Sequence, residues 1–202
     1  MNRPIVIGIL LFVIVFGGFV FLVKKRQYTP PKTAAVPATT GTTTSKSNEP
    51  PANQRRINVK LYFSTPGSGM LQAEDRFVVY HDTLHDQAFE VLKELTVGPK
   101  ADLVKTLPDG TEARDLFITK DGVAYADFSG ALSEKHQGGS LAEMNTVFSI
   151  VNSLTLNFPE IKRVQILIED HAVDTLNGHM DLSRPLGPDP TLIASAPRQQ
   201  KK

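Results

Sequence analysis

The stretch Ser140–Asp170, SLAEMNTVFSIVNSLTLNFPEIKRVQILIED, sets the tightest constraint on what this chain can fold into. Leu141, Met144, Val147, Phe148, Val151 and Leu154 recur at three- and four-residue spacing, which predicts an amphipathic helix with that stripe buried. Ser140 followed three residues later by Glu143 reads as a capping box, and Gly138-Gly139 gives the chain freedom to enter it. Phe158-Pro159 ends the helix, and Val164, Ile166 and Ile168 then alternate as the core face of a strand. A helix stripe and a strand face cannot both be buried by this unit alone, so the preceding residues must supply a sheet. The stretch carries no nucleophile–base pair, ligand cluster or phosphate loop.

The preceding residues supply the expected strands. Val59–Ser64 alternates as a half-buried strand, TPGSG follows as a loop, and Arg76–His81 (RFVVYH) reads as a second strand. A helix from Thr83 to Val97 lines Leu84, Ala88, Val91, Leu92 and Leu95 on one face, and Gly98-Pro99 stops it. LPDGT (Leu107–Thr111) is a turn, because Pro presets φ and Asp-Gly supplies the bend. Arg114–Thr119 and Val123–Ser129 flank Lys120-Asp121-Gly122 as a hairpin. Asp174–Leu186 adds a turn and a short terminal strand. The order β-β-α-β-β-α-β predicts an α/β (α+β) two-layer sandwich, one mixed sheet carrying two amphipathic helices on one face.

A different element lies upstream. After the tail 1–4, Ile5–Val23 is 19 residues without a charge or strongly polar side chain. At about 1.5 Å per residue it reaches roughly 28 Å, close to bilayer hydrocarbon thickness. Its length, and the lack of a small-residue cleavage site in LVKKRQY, favour an uncleaved transmembrane anchor over a signal peptide. Residues 24–56 are basic, then rich in Thr, Pro and Ala, as expected of an extended spacer. Lys24, Lys25, Arg26 and Lys32 follow the anchor while only Arg3 and the amino terminus precede it. Taken alone, that asymmetry keeps the following domain in the cytoplasm.

Charge divides the chain. Ile57–Gly187 holds 11 Lys/Arg against 19 Asp/Glu, a net of −8, which argues against a nucleic-acid partner. Residues 188–202 read as a disordered basic tail. The absence of cysteine rules out disulfides, thiol catalysis and a lipidated cysteine anchor.

Few residues suggest chemistry. His81 and His85 have i, i+4 spacing but straddle a strand end and a helix start, without the glutamate of an HExxH site. His171, Asp174, His179 and Asp181 form a polar cluster that could ligate a metal, although surface turns commonly use the same residue types. Gly67-Ser68-Gly69 completes neither a nucleophile elbow nor a phosphate loop. Gly138-Gly139-Ser140 could hold an anion at a helix start but reads more simply as chain geometry. Asp127 lacks a second carboxylate to pair with and reads as a strand-edge or capping residue. The residues therefore assign no catalytic group, cofactor or metal ligand.

VKLYFS, LKELTVGP, LPDGT, DGVAYADFS, LNFPEIKRVQILIED and TLNGHMDLSRPL occur here in the order of the GerMN domain family of spore germination, which residues 57–187 resemble. The resemblance implies a compact α/β fold similar to ring-building motifs, placement outside the cytoplasm of a bacterium, and a non-enzymatic role in the envelope. It brings no catalytic residues. Together with the anchor and spacer, it leads to an expected single-pass inner-membrane protein. Its exported domain would scaffold or bind other envelope proteins, with the lipid bilayer as the first partner. Peptidoglycan binding is the alternative, and a metal-dependent hydrolase centred on His171, Asp174, His179 and Asp181 the third reading.

Overall fold

The structure, a computed structural model, describes residues 55–194. The predicted anchor 5–23, the spacer up to residue 54 and residues 195–202 lie outside the described residues. Among the described residues, no helix is long and apolar enough to cross a membrane.

Strands β1 (Arg56–Ser64) and β2 (Leu71–Val79) form an antiparallel hairpin. Helix α1 (Leu84–Val97) follows, then β3 (Ala113–Ile118), β4 (Val123–Phe128), the short α2 (Ala131–Glu134), α3 (Ser140–Thr155), β5 (Arg163–Ile168) and β6 (His171–Ala172). β3 to β6 make a mixed four-stranded sheet in chain order, with β4 and β5 parallel and the other pairs antiparallel. A parallel pair needs a crossover, and α2 and α3 provide it. α1 lies against β3 and the hairpin, α3 against β1 and β5, and the two helices touch. Their apolar faces share one core with Leu61, Phe63, Phe128 and Ile166.

β1 to β5, α1 and α3 follow the sequence reading in order, but α2 has no counterpart in it. The short terminal strand expected within Asp174–Leu186 is instead β6 at His171–Ala172, with only a Leu186–Val164 bridge in the expected stretch. The architecture differs as well. Among the described residues there are two sheets rather than one, and side chains of α3 and its flank take the backbone groups of Lys60 and Tyr62 along the β1 edge that a further strand would use. Ser149 donates to the carbonyl of Tyr62, Ser153 Oγ accepts from Tyr62 N–H at 3.1 Å, and Asn157 exchanges two bonds with the Lys60 backbone, at 2.9 and 2.7 Å. Asn145 adds a bond to Ser64 Oγ at 3.2 Å. The geometry explains the match. Positions 145, 149, 153 and 157 share one side of the helix and its flank, about 6 Å apart, and run along β1 from Ser64 to Lys60, with Ser149 and Ser153 meeting the two backbone groups of Tyr62. Serine and asparagine thus cover an edge that would otherwise be open to pairing with another chain. Asn157→Ala is expected to lower stability by about 1–2 kcal/mol in urea titration, and to speed hydrogen exchange at Lys60.

This use of α3 also corrects its predicted stripe. Val147, Ile150, Val151 and Leu154 are buried, but so are Glu143, Asn145, Thr146, Ser149, Asn152 and Ser153, while Leu141 is 50% exposed. The helix is enclosed on more than one side, and its polar face is satisfied by loops and strand edges.

Boundaries shift for related reasons. β2 begins at Leu71 and ends at Val79, because LQAEDR continues the strand with Glu74 and Arg76 turned inward as a pair. The domain also runs past Gly187. Asn152 bonds both backbone groups of Asp189, at 3.2 and 3.0 Å, and Ala194 N–H bonds Leu71 C=O at 2.7 Å. Residues 188–194 therefore belong to the fold and not to a tail.

The β5–β6 turn holds two consecutive non-glycine residues at positive φ, Glu169 (50°) and Asp170 (68°). A two-residue hairpin loop favours this geometry, for which Asn-Gly is the usual solution. Buried Asp127 fixes the turn by accepting from Asp170 N–H at 2.8 Å, and Arg114 bonds the Asp170 carboxylate at 3.2 Å. Asp127 thus caps a neighbouring turn from the interior β4, not from a sheet edge. Glu169→Asn is expected to raise stability by about 0.5–1 kcal/mol in thermal unfolding, because asparagine tolerates the left-handed region better.

Candidate functional site

Helix α3 is capped by the Gly139 backbone, without a side-chain bond from Ser140. This overturns the predicted capping box and frees Glu143 for a different task. Glu143 is fully buried in the first turn of α3, where the helix dipole favours a carboxylate. The segment Thr175–His179 wraps around it. Oε1 accepts from the Thr175 hydroxyl at 2.6 Å and from the amides of Leu176 and Asn177 at 2.9 and 3.1 Å. Oε2 accepts from His179 N–H at 2.9 Å and from its ring Nδ1 at 3.0 Å. Gly178 turns the chain at a φ of 87°, and its amide returns to Thr175 Oγ1 at 2.6 Å. Burial alone would raise the Glu143 pKa. The hydroxyl and amide bonds outweigh it and pull the value from 4.5 down to about 2.

The polar cluster read from the sequence is therefore not one site. His179 faces Glu143, while Asp181 accepts from Ser183 N–H at 2.9 Å and from its hydroxyl at 2.6 Å. His171 Nδ1 lies 2.5 Å from Glu169 C=O in the β5–β6 turn, and the Asp174 backbone accepts from Leu182 N–H at 2.8 Å. His81 and His85 have separate neighbours too, Glu90 at 3.8 Å and Asp86 at 2.9 Å. Among the described residues, no three His, Asp or Glu side chains are grouped to hold an ion. Gly67-Ser68-Gly69 is the β1–β2 loop, and the Gly138 carbonyl accepts from Asn177 Nδ2 at 2.8 Å, which ties the entry of α3 to the Thr175–His179 segment.

What the fold does assemble is a groove of about 720 Å³. One wall is the segment Val104–Asp109, which includes the predicted LPDGT turn; the other is Glu134–Gln137, with Ala142, Asn145 and Thr146 of α3 between them. Val104 exchanges both backbone bonds with Ser64, at 2.7 and 3.2 Å, so this wall starts from a one-residue antiparallel bridge beside the end of β1. Lys105 pairs with Asp109 at 2.8 Å. Lys135 reaches over the turn, its Nζ 3.0 Å from where a Cβ on Gly110 would stand, and no carboxylate among the described residues is within ion-pair distance of it.

Two buried acceptors on the groove lining have no donor, His136 Nδ1 and Asn145 Oδ1. The Thr146 hydroxyl donates to Thr106 C=O at 2.6 Å, so His136 Nε2, 3.0 Å away, must donate to Thr146. That leaves Nδ1 with a free lone pair, and burial lowers the pKa of His136, keeping the ring neutral. Asn145 Nδ2 is fixed as the donor side by Gly69 C=O at 2.9 Å, which leaves Oδ1 open. Each such group is destabilising by about 1–3 kcal/mol until it is met by a donor.

Sequence reasoning reached only the LPDGT turn of this groove. Lys135 and His136 lie in a stretch to which the sequence pattern assigns no element, Asn145 and Thr146 lie between the apolar positions of the predicted helix, and nothing local marks them as facing residues some forty positions earlier.

The sequence profile of the Germane family, described as sporulation and spore germination, matches residues 60–174. Among solved structures, the tandem GerMN domains of the sporulation protein GerM from Bacillus subtilis align at 24% identity and a TM-score of 0.52, over 66% of this chain and 46% of that one. This chain thus spans about half of that two-domain protein. The first GerMN domain of the same protein aligns at 22% identity and a TM-score of 0.50, over 65% of this chain and 97% of that one. A Clostridium perfringens protein described as a lipoprotein aligns at 26% identity and a TM-score of 0.48, over 67% and 91%. No curated protein gives a significant match. The GerMN domains carry the same fold, and the profile covers more than half of the residues: the chain belongs to the Germane family of sporulation and spore-germination domains.

Proposed function

We propose that this chain is a single-pass envelope protein, anchored by residues 5–23. Its GerMN domain stands off the membrane on the spacer 24–56, outside the cytoplasm, and acts as a non-enzymatic interaction or scaffolding module. One observation carries the reading. The interior polar side chains of α3 and its flank, Glu143, Ser149, Asn152, Ser153 and Asn157, bond the domain's own backbone. That arrangement builds a rigid surface and leaves the groove as its open feature. The acidic domain and the spacer agree with display toward other envelope components.

Two experiments test the reading. A reporter active only outside the cytoplasm, fused after Lys202, should be active; activity only of a cytoplasmic reporter would reverse the topology. Photo-crosslinkers placed at exposed positions of the full chain in cells should then capture defined envelope proteins. Capture of none, with substrate turnover by the purified chain, would replace scaffolding by catalysis.

A wall-binding reading has its own support in Phe117. It is 64% exposed on β3 beside Tyr125, with ring centroids 6.4 Å apart, and such a pair can stack on a sugar face. Retention of the detergent-solubilised chain on purified sacculi, lost in Phe117→Ala, would favour it.

A further inference from the structure

The groove permits a more specific statement, which rests on the interaction reading above. In an extended segment, backbone groups of successive residues point to opposite sides. Val104 turns both of its groups to Ser64, so the N–H and C=O of Lys105 point away from β1. Neither has a partner among the described residues, and Lys105 lines the groove. The groove therefore has a main-chain edge on one side. On the other it has Lys135, a cation whose charge is felt by Asp109 but which has no carboxylate within ion-pair distance among the described residues, in a region of net charge −8. Between them lie two buried acceptors in need of donors, His136 Nδ1 and Asn145 Oδ1.

These requirements describe one kind of ligand. A free strand edge is met by another extended backbone, which brings alternating N–H and C=O groups. Unpaired acceptors are met by N–H donors of the same backbone or its side chains. An unpaired ammonium is met by a carboxylate. We propose that the groove binds an extended peptide segment of a partner protein, seated as an added strand on Lys105, with a carboxylate placed against Lys135. A sugar would answer the acceptors but not the strand edge, and a nucleic acid is excluded by the surrounding charge.

The carboxylate can come from an acidic side chain or from a peptide's C-terminus, and the probes separate the two. The full chain in detergent would be screened against random nine-residue peptides displayed with free C-termini, and against the same library amidated. Enrichment from only the free library assigns a C-terminal carboxylate, and enrichment of acidic sequences from both assigns a side chain. In either case, binding should slow hydrogen exchange at the Lys105 amide. Lys135→Glu should weaken binding about tenfold or more, and a peptide with lysine in place of its acidic residue should recover affinity for that variant.

Enrichment from neither library would overturn the proposal, as would unchanged exchange at Lys105 or full affinity in Lys135→Glu. Soluble muropeptides that bind the groove while the libraries do not would also overturn it, in favour of a wall ligand. If crosslinkers distant from the groove, at Phe117 for example, still capture envelope proteins, the scaffolding reading survives and only the groove assignment fails.

Discussion

Glu143→Ala is expected to lower the unfolding free energy by about 3–5 kcal/mol, a large share of the roughly 5–15 kcal/mol of an ordinary domain. The side chain is not merely lost. It leaves the Thr175 hydroxyl, three backbone amides and the His179 ring without their acceptor, and of these residues Leu176 is buried while Asn177 and His179 are exposed. Ser133 Oγ, which donates to Leu176 C=O at 2.9 Å, and the buried Leu176 side chain are tied to the same segment, so loosening it should expose that part of the core. Glu143→Gln separates shape from charge, since it keeps the volume but offers one acceptor oxygen and brings two unwanted donors.

The acid limb of the stability curve provides the second readout. The folded pKa of Glu143 is depressed from 4.5 to about 2, so its contribution is present above the unfolded value and is lost as pH falls from about 4.5 to 2. That displacement corresponds to about 3 kcal/mol. Denaturant midpoints of the wild type should therefore fall steeply across this window. In Glu143→Gln the same window should be flatter, with the two curves converging near pH 2. A Gln variant as stable as wild type at pH 7 would show that the Thr175–His179 segment is held by something else.

Glu143 also shows where the sequence was readable. Periodicity identified the two long helices and most strands because apolar spacing depends on local geometry, and the helix start, hairpin and strand at 163–168 followed from it, whereas the one-turn α2 is too short to show a period. A glutamate three residues after a serine satisfies the capping-box pattern equally well whether it bends back to the helix start or holds a loop thirty residues later. Only the loop's position decides, and that is a tertiary fact. Ser149, Ser153 and Asn157 present the same difficulty. Their four-residue spacing was visible, but polar residues on a helix read as a solvated face unless a strand edge is known to lie beside them. The groove was the least legible part, because its two walls meet only after β1 has taken up Val104.

Arg76 is equally hidden from the sequence, since a charged residue in RFVVYH reads as the exposed position of a strand, whereas here it is 3% exposed. It bonds Glu74, Glu94 at 2.7 Å, and the Gly98 carbonyl at 3.0 Å, and so ties β2 to the end of α1. Glu74 Oε2 in turn accepts from the amides of Lys100 and Ala101, at 2.9 and 2.8 Å. Burial tends to raise the pKa of Glu74. The bonds from Arg76 and from these amides prevail, and its carboxyl stays below its ordinary range. Arg76→Leu is expected to destabilise by about 3–5 kcal/mol, because it strands the buried Glu74 charge beside an apolar side chain. Glu74→Leu in the same chain should recover part of that loss. It removes the orphaned charge, and the freed amides belong to exposed residues that water can reach. The double variant should therefore be more stable than Arg76→Leu alone, with a coupling of about 1–3 kcal/mol in urea titration. Additive losses would mean that the two side chains act independently, and that the end of α1 is held by Gly98 and Pro99 without the ion pair.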